Sequence, residues 1–356
     1  MKWVGAAQGR RESVTTIEAL TAIWRRVLRR PVIGVDDSFF ELGGSLESAD
    51  RMFAAIANGC GRDLPSAMIY QAPTIAALAS VLEQPGLPPF SPVVKVKTGT
   101  AYPPILFGPG LAGRVQSFDL ARNLQTEHPI YGLQARGIDG LEEPFDRIED
   151  MATYYLESIR QLQPHGPYLW IGYSFGGLVA FEMAQRLSQA GEKVGLLALV
   201  DAYPHPRFLS RGQRLRLMVQ RARRHIAAIR GSHVREAIFY VARGVAHRLH
   251  LIERSSDGRP LGKSPLSLAR NTQRIKKKSY EALARYQPRF YAGKIKFVKS
   301  ESDTYFPGDP VGVWGNLVED FEVETVHGAH LDMMSTNIGE VADLLTRYIR
   351  EAADQL

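Results

Sequence analysis

Apolar positions in the first quarter of the chain recur at helical spacing; further on they gather into short continuous runs that alternate with helical patterns. Ile17, Leu20, Trp24, Val27 and Leu28 fall on one helix face, and Thr15-Thr16-Ile17-Glu18 has the form of a capping box. A loop from Gly34 to Leu46 ends in the pair Gly43-Gly44, and a second helix carrying Met52, Phe53 and Ile56 follows and stops near Gly59. Thr74 is placed to cap a last helix with Ile75, Leu78, Val81 and Leu82 inward. Residues 12–84 therefore read as a small all-helical bundle. The prolines of Pro85-Gly86-Leu87-Pro88-Pro89-Phe90-Ser91-Pro92 favour extended backbone, so 85–100 reads as a semi-rigid linker. From 101 to 356 the pattern changes. Ile105-Leu106-Phe107, a helix near Phe118 to Leu124, Pro129 to Leu133, a helix from about Asp150, Tyr168 to Ile171, a helix carrying Leu178, Phe181 and Leu187, and Val194 to Val200 follow in turn. That alternation predicts an α/β domain with a mostly parallel sheet covered by helices on both faces.

Composition adds little, but charge adds a segment. The 356 residues leave room for two domains. The single cysteine, Cys60, cannot form an internal disulfide and fits a reducing compartment. Met1 to Ala7 is too short an apolar run for a signal peptide and no stretch is long enough to span a bilayer, so the expected location is cytoplasmic. The net charge is +7, yet Ala202 to Phe290 holds 21 Lys and Arg against 4 Asp and Glu, which leaves the rest of the chain acidic. Helical patterns around Leu215 to Ile229, Val234 to Leu251 and Thr272 to Tyr286 run through this basic segment. No nucleic-acid motif accompanies Arg221-Ala222-Arg223-Arg224 or Lys276-Lys277-Lys278, so they read as a solvated helical face, or as a docking surface for an acidic upstream domain, an acidic acyl substrate or an anionic membrane.

The candidate chemistry centres on Gly172-Tyr173-Ser174-Phe175-Gly176-Gly177. It stands between an apolar strand run and a helical pattern, as a nucleophile elbow must. Small residues two before and two after the serine are needed because strand and helix backbones pass closely there. A serine hydroxyl needs a base to take its proton and an acid to orient the base. Asp201 follows the apolar run ending at Val200 and so lies at the carboxyl end of a strand, where open α/β sheets build their sites. Asp303, after Ile295 to Lys299, is a rival acid one strand later. The base must follow, and an alternating stretch, Phe321 to Val326, runs into His327-Gly328-Ala329-His330. Gly108-Pro109-Gly110-Leu111-Ala112-Gly113, after a strand, is nominally a dinucleotide fingerprint. The next strand leads to Gln134-Ala135-Arg136 rather than an acidic residue, which leaves only an NADP form of that reading. No convincing metal-ligand cluster is present, and serine chemistry needs none.

Asp36-Asp37-Ser38-Phe39-Phe40-Glu41-Leu42-Gly43-Gly44, with Tyr70-Gln71-Ala72-Pro73-Thr74-Ile75, resembles the peptidyl carrier domains of non-ribosomal peptide synthetases. Such domains carry 4'-phosphopantetheine on a serine at a helix N-terminus, where the phosphate meets unpaired N–H groups. Here the residue that usually separates the glycine pair from Ser-Leu is missing. With a one-residue gap, Ser45-Leu46-Glu47-Ser48-Ala49-Asp50 matches and Ser45 is the attachment site; without a gap, Leu46 takes that place. The gapped alignment is the reading adopted. Across 101–356, Gly132-Leu133-Gln134-Ala135-Arg136-Gly137, Gly166-Pro167-Tyr168-Leu169, the elbow and Ala198-Leu199-Val200-Asp201 resemble the type I thioesterase domains that end such synthetases.

The resemblance implies an α/β-hydrolase fold with a helical lid, here about 202–290, preceded by a four-helix carrier. It also implies Ser174 as nucleophile, Asp201 as acid and His330 as base, with oxyanion donors from Phe175 and from Gly110 or Leu111. The expected function is release of a peptidyl or acyl chain from a phosphopantetheine thioester, by hydrolysis or cyclisation. Expected partners are that thioester, upstream synthetase modules or carriers, and a phosphopantetheinyl transferase, with no nucleic acid. Reductive release with NADP through the Gly108–Gly113 loop, and a non-catalytic docking module, are the alternatives.

Overall fold

A computed structural model of the chain describes residues 4–87, 89–113, 118–215, 217–219, 266–302 and 309–355. The N-terminal bundle consists of α1 (Val4–Leu28), α2 (Leu46–Cys60), α3 (Met68–Gln71) and α4 (Ile75–Glu83). Leu20, Trp24, Phe39, Met52, Ile56, Ile69 and Leu78 are buried at its centre. The fourth helix begins as expected, Thr74 Oγ1 accepting from the Ala77 N–H at 3.1 Å. The first does not: α1 runs straight through Thr15 to Glu18, so the N–H groups a capping box would satisfy lie inside a continuous helix.

Seven strands form one sheet in the order β1-β3-β2-β4-β5-β6-β7. They are β1 (Val93–Lys97), β2 (Ile105–Phe107), β3 (Ile130–Leu133), β4 (Tyr168–Tyr173), β5 (Val194–Val200), β6 (Tyr291–Ser300) and β7 (Val318–Val326). All neighbours are parallel except β1, which pairs antiparallel with β3. Successive residues of β4 divide between two cores. Trp170 packs with α6 (Ile148–Leu162) and α7 (Phe175–Gln189), while Leu169 and Ile171 pack with α5 (Phe118–Asn123) and the C-terminal α10 (Ile338–Ala353). A strand buried on both faces has no polar side to show, which is why the central strands read as unbroken apolar runs. Between β5 and β7 lie α8 (Leu268–Arg285) and α9 (Pro310–Trp314). The first of these is the helix expected around Thr272 to Tyr286; most of the two helical patterns before it lies outside the described residues, as do Arg221, Arg223 and Arg224.

The stretch read as linker does more than space two domains. Its residues 93–97 form β1, an edge strand whose Val94 is buried while Lys95 faces out, a charge that guards an open edge. Val94, Ile138, Leu268 and Ile275 join the bundle's own core, so the bundle packs against the sheet domain. Among the described residues no helix is long and apolar enough to cross a membrane.

Candidate active site

Parallel strands bring their carboxyl ends to one edge, and the chemistry-bearing residues collect there. Ser174 sits between β4 and α7 at φ 53 and ψ −121. This conformation is strained for a side-chain-bearing residue, and the turn holds it because its neighbours can approach closely. A Cβ on Gly172 would lie 2.3 Å from the Gly177 Cα, and one on Gly108 2.3 Å from the Gly176 carbonyl oxygen. Only glycine fits at either place, and the second contact presses the Gly108–Gly113 loop onto the start of α7.

Asp201, directly after β5, also has positive φ, 47, and is 1% exposed. A carboxylate out of water needs donors, and it has them. The Ser300 hydroxyl donates to Oδ2 at 2.9 Å and the Ser300 N–H to Oδ1 at 3.3 Å. His330 Nδ1 lies 2.8 Å from Oδ2, and because an ionised carboxylate only accepts, Nδ1 carries the proton. The loop after β7 is held from the other side by Tyr173, the residue before Ser174. Its hydroxyl donates to the His330 carbonyl at 2.7 Å, and its ring stacks on the imidazole at 4.7 Å between centroids. Burial, with the Asp201 carboxylate adding to it, pushes the Tyr173 phenol well above its usual range, so it remains a donor. His330 is thereby placed beside the elbow.

His327 is not brought to this site. Its side chain is 77% exposed and its Nδ1 lies 3.0 Å from Glu340 on α10. Asp303 lies outside the described residues. Ser300 and Tyr173 escaped the sequence reading, because nothing local marks a strand-end serine as a partner of a residue 99 positions away.

Gly110 and Phe175 border one cleft of about 280 Å³, together with Pro109, Ala135, Arg136, Pro144, Phe145, Met151, Tyr155, Ile275 and Ser279. Leu111 is half-buried against the core behind it. The N–H of Phe175 belongs to the first helical residue of α7, where backbone donors are unpaired and the dipole is positive. Among the described residues Arg136 is the one cation that lines the cleft; it pairs with Glu142 at 3.0 Å and lies over the Phe145 ring at 4.8 Å. A dinucleotide loop would use its third glycine to let its own strand and the helix that follows the loop pack closely. Gly113, at φ 74, instead packs on Ala135 and on Ile275 of α8, where a Cβ would come within 2.6 Å of the Ala135 methyl.

In the bundle, Ser45 caps α2. Its Oγ accepts from the Ser48 N–H at 3.2 Å, and the Ser48 Oγ accepts from the Ser45 N–H at 2.6 Å. Ser45 is exposed, whereas Leu46, the first residue of the helix, is half-buried against the bundle core. The glycine pair is sterically required: Gly43 has φ 87, and a Cβ on Gly44 would meet the Phe39 ring at 2.3 Å.

Residues 103–348 match the family described as "Thioesterase domain", and residues 18–82 match that described as "Phosphopantetheine attachment site". The chain belongs to the thioesterase domain family, with an α/β-hydrolase fold behind a helical carrier domain for phosphopantetheine. It is 40% identical over 187 residues to "Malpibaldin synthetase" of Mortierella alpina, covering 51% of this chain and 3% of that protein. It is 37% identical over 205 residues to "Dimodular nonribosomal peptide synthase" of Bacillus subtilis, covering 57% of this chain and 9% of that one. The chain thus spans less than a tenth of the length of these two relatives. A four-domain non-ribosomal peptide synthetase in its holo form, bound to AMP and glycine, shares the fold over 93% of this chain and 26% of its own, with a TM-score of 0.56 at 24% identity.

Proposed function

We propose that the chain releases an acyl or peptidyl group from a phosphopantetheine thioester carried on its own N-terminal domain, with Ser174, His330 and Asp201 as the catalytic triad. The observation that supports this most is the pairing of Asp201 and His330 at 2.8 Å with the imidazole stacked on Tyr173, the residue next to Ser174. Serine, acid and base come in the chain order of α/β-hydrolases.

In this reading Ser45 holds the phosphopantetheine arm, whose phosphate would share the positive end of α2. In its cap the Ser45 oxygen accepts a long bond from the Ser48 N–H, at 3.2 Å, and its proton can leave to a transferase. The acyl carbonyl enters the cleft beside Gly110 and Phe175. His330 takes the Ser174 proton as the serine oxygen attacks, and the tetrahedral oxyanion is met by the N–H groups of Phe175 and of Gly110 or Leu111. Collapse expels the pantetheine thiolate, which regains its proton from His330, and leaves an ester on Ser174. Water, or a hydroxyl or amine of the product itself, then repeats the attack and frees the chain. Upstream synthetase modules would supply the acyl group and a phosphopantetheinyl transferase the arm. That chemistry belongs to the cytoplasm, where coenzyme A is available.

The test is Ser174→Ala in the full chain, assayed with the phenylacetyl thioester of N-acetylcysteamine. Turnover should fall by about a thousandfold or more with the melting temperature kept. A folded variant with wild-type turnover would refute the assignment.

A further inference from the structure

The positive end of α8 is completed by the other domain. This helix has no acidic residue in its own first turn. Its N-cap, Ser267, is 4% exposed, and Leu268 and Ala269 are also buried. Asp50, on the carrier's α2, accepts all three adjacent donors: the Ser267 hydroxyl at 2.7 Å, the Leu268 N–H at 2.7 Å and the Ala269 N–H at 3.2 Å. Beside it the carrier's Ser66 N–H donates to the Leu266 carbonyl at 3.2 Å. On the opposite flank, Phe40 of the carrier stacks on Phe118 of α5 at 5.5 Å, and Glu41 lies 3.5 Å from Arg122.

Ser45 stands on the chain between these two anchors. The helix Asp50 grips also walls the cleft: Ile275 and Ser279 face it, the first roughly 10 Å along the axis from Leu268. An acidic group at a helix N-terminus interacts more strongly where the pair is partly buried and less screened by solvent, and here the pair spans a domain boundary. Further along, α8 carries Arg274, Lys276, Lys277 and Lys278, whereas the carrier is met by the Asp50 carboxylate at the helix end and by Leu268 and Ile275, which join the bundle's core.

We propose that Asp50 is a docking latch, the acid that α8 lacks supplied by the carrier, and that it holds the carrier in the position from which the acyl arm enters the cleft. This rests on the reading of the chain as a carrier that feeds its own thioesterase. Asp50 is a positioning residue and touches no reacting atom.

A helix cap and a latch are separated by a compensated variant. Asp50→Ala removes both; Ser267→Asp added to it restores an acid at the α8 N-terminus from within α8 but not the bridge between domains. The full chain is loaded with phenylacetyl-pantetheine from the coenzyme A thioester, and release is followed in single turnover. The expectation is that Asp50→Ala slows release from the carrier by about tenfold or more. The double variant should remain slow, while both hydrolyse the diffusible N-acetylcysteamine thioester at the wild-type rate. Recovery in the double variant, or no slowing in Asp50→Ala, overturns the latch. Turnover of both substrates that survives in Ser174→Ala would instead overturn the underlying reading.

Hydrogen exchange on the unloaded chain gives an independent answer. With the latch lost, the Ser66 amide should exchange about tenfold faster in the double variant while the amides of Arg270 and Asn271 stay protected. An unchanged Ser66 amide also overturns the proposal.

Discussion

Replacing Asp201 by Asn tests the proposed triad at one atom. The Ser300 N–H can only donate, and it points at Oδ1 from 3.3 Å. An asparagine in this site must therefore keep its carbonyl oxygen there, which puts its NH2 group at the position of Oδ2, 2.8 Å from His330 Nδ1. The Ser300 hydroxyl, 2.9 Å from the same position, can rotate to accept, so the site accommodates the change. Nδ1 then has to accept as well, and the imidazole proton moves to Nε2, the nitrogen that must be bare to take the proton of Ser174. This wrong tautomer costs about ten-thousandfold in turnover in serine triads generally, about 5 kcal/mol of transition-state stabilisation. The assay is kcat for the N-acetylcysteamine thioester, with thermal unfolding to show that the fold is kept. A folded Asp201→Asn protein within tenfold of wild type would refute the argument, and Asp303→Asn is then the variant that should be crippled.

Tyr173→Phe keeps the stack on His330 but removes the hydroxyl bond to its carbonyl at 2.7 Å, so a loss of about 1 kcal/mol in stability and a drop in kcat of up to about tenfold are expected, read by melting and initial rates. Gly172→Ala places a methyl 2.3 Å from the Gly177 Cα, backbone that cannot yield, and should lower the melting temperature and abolish turnover together. Ser45→Ala should erase the intact-mass gain seen after incubation with coenzyme A and a phosphopantetheinyl transferase, and cost the carrier about 1 kcal/mol through the lost cap. A mass gain that persists in that variant would move the attachment site elsewhere, and one that never appears in the wild type would favour the alignment that puts Leu46 in its place.

What was legible in the sequence was what local pattern controls. The period of apolar residues in α2, α4 and α7 and the unbroken apolar runs of β2, β4 and β5 follow from which faces each element buries. The elbow was legible because Gly172 is demanded by Gly177 five residues on, although Gly176 answers to Pro109 and Gly177 to Ala202, and the place of Asp201 was legible because it ends a strand. Composition misled where local chemistry was ambiguous. Thr15 to Glu18 has the form of a helix start, yet α1 passes through it, and a proline-rich tract hides the strand of residues 93–97, whose partner β3 lies more than thirty residues on.

Tertiary structure alone decided which distant groups meet. His327 and His330 stand three residues apart, and only the family resemblance favoured His330; in the structure the stack on Tyr173 and the bond to Asp201 draw His330 inward, while Glu340 holds His327 at the surface. Ser300 becomes a partner of Asp201 only because β5 and β6 pair in parallel register. Asp50 serves α8 only because the carrier docks where the helix begins. A charge buried without partners is costly, and so is a helix end without acceptors; those needs are met by whatever the fold brings near, from residues that no sequence spacing relates.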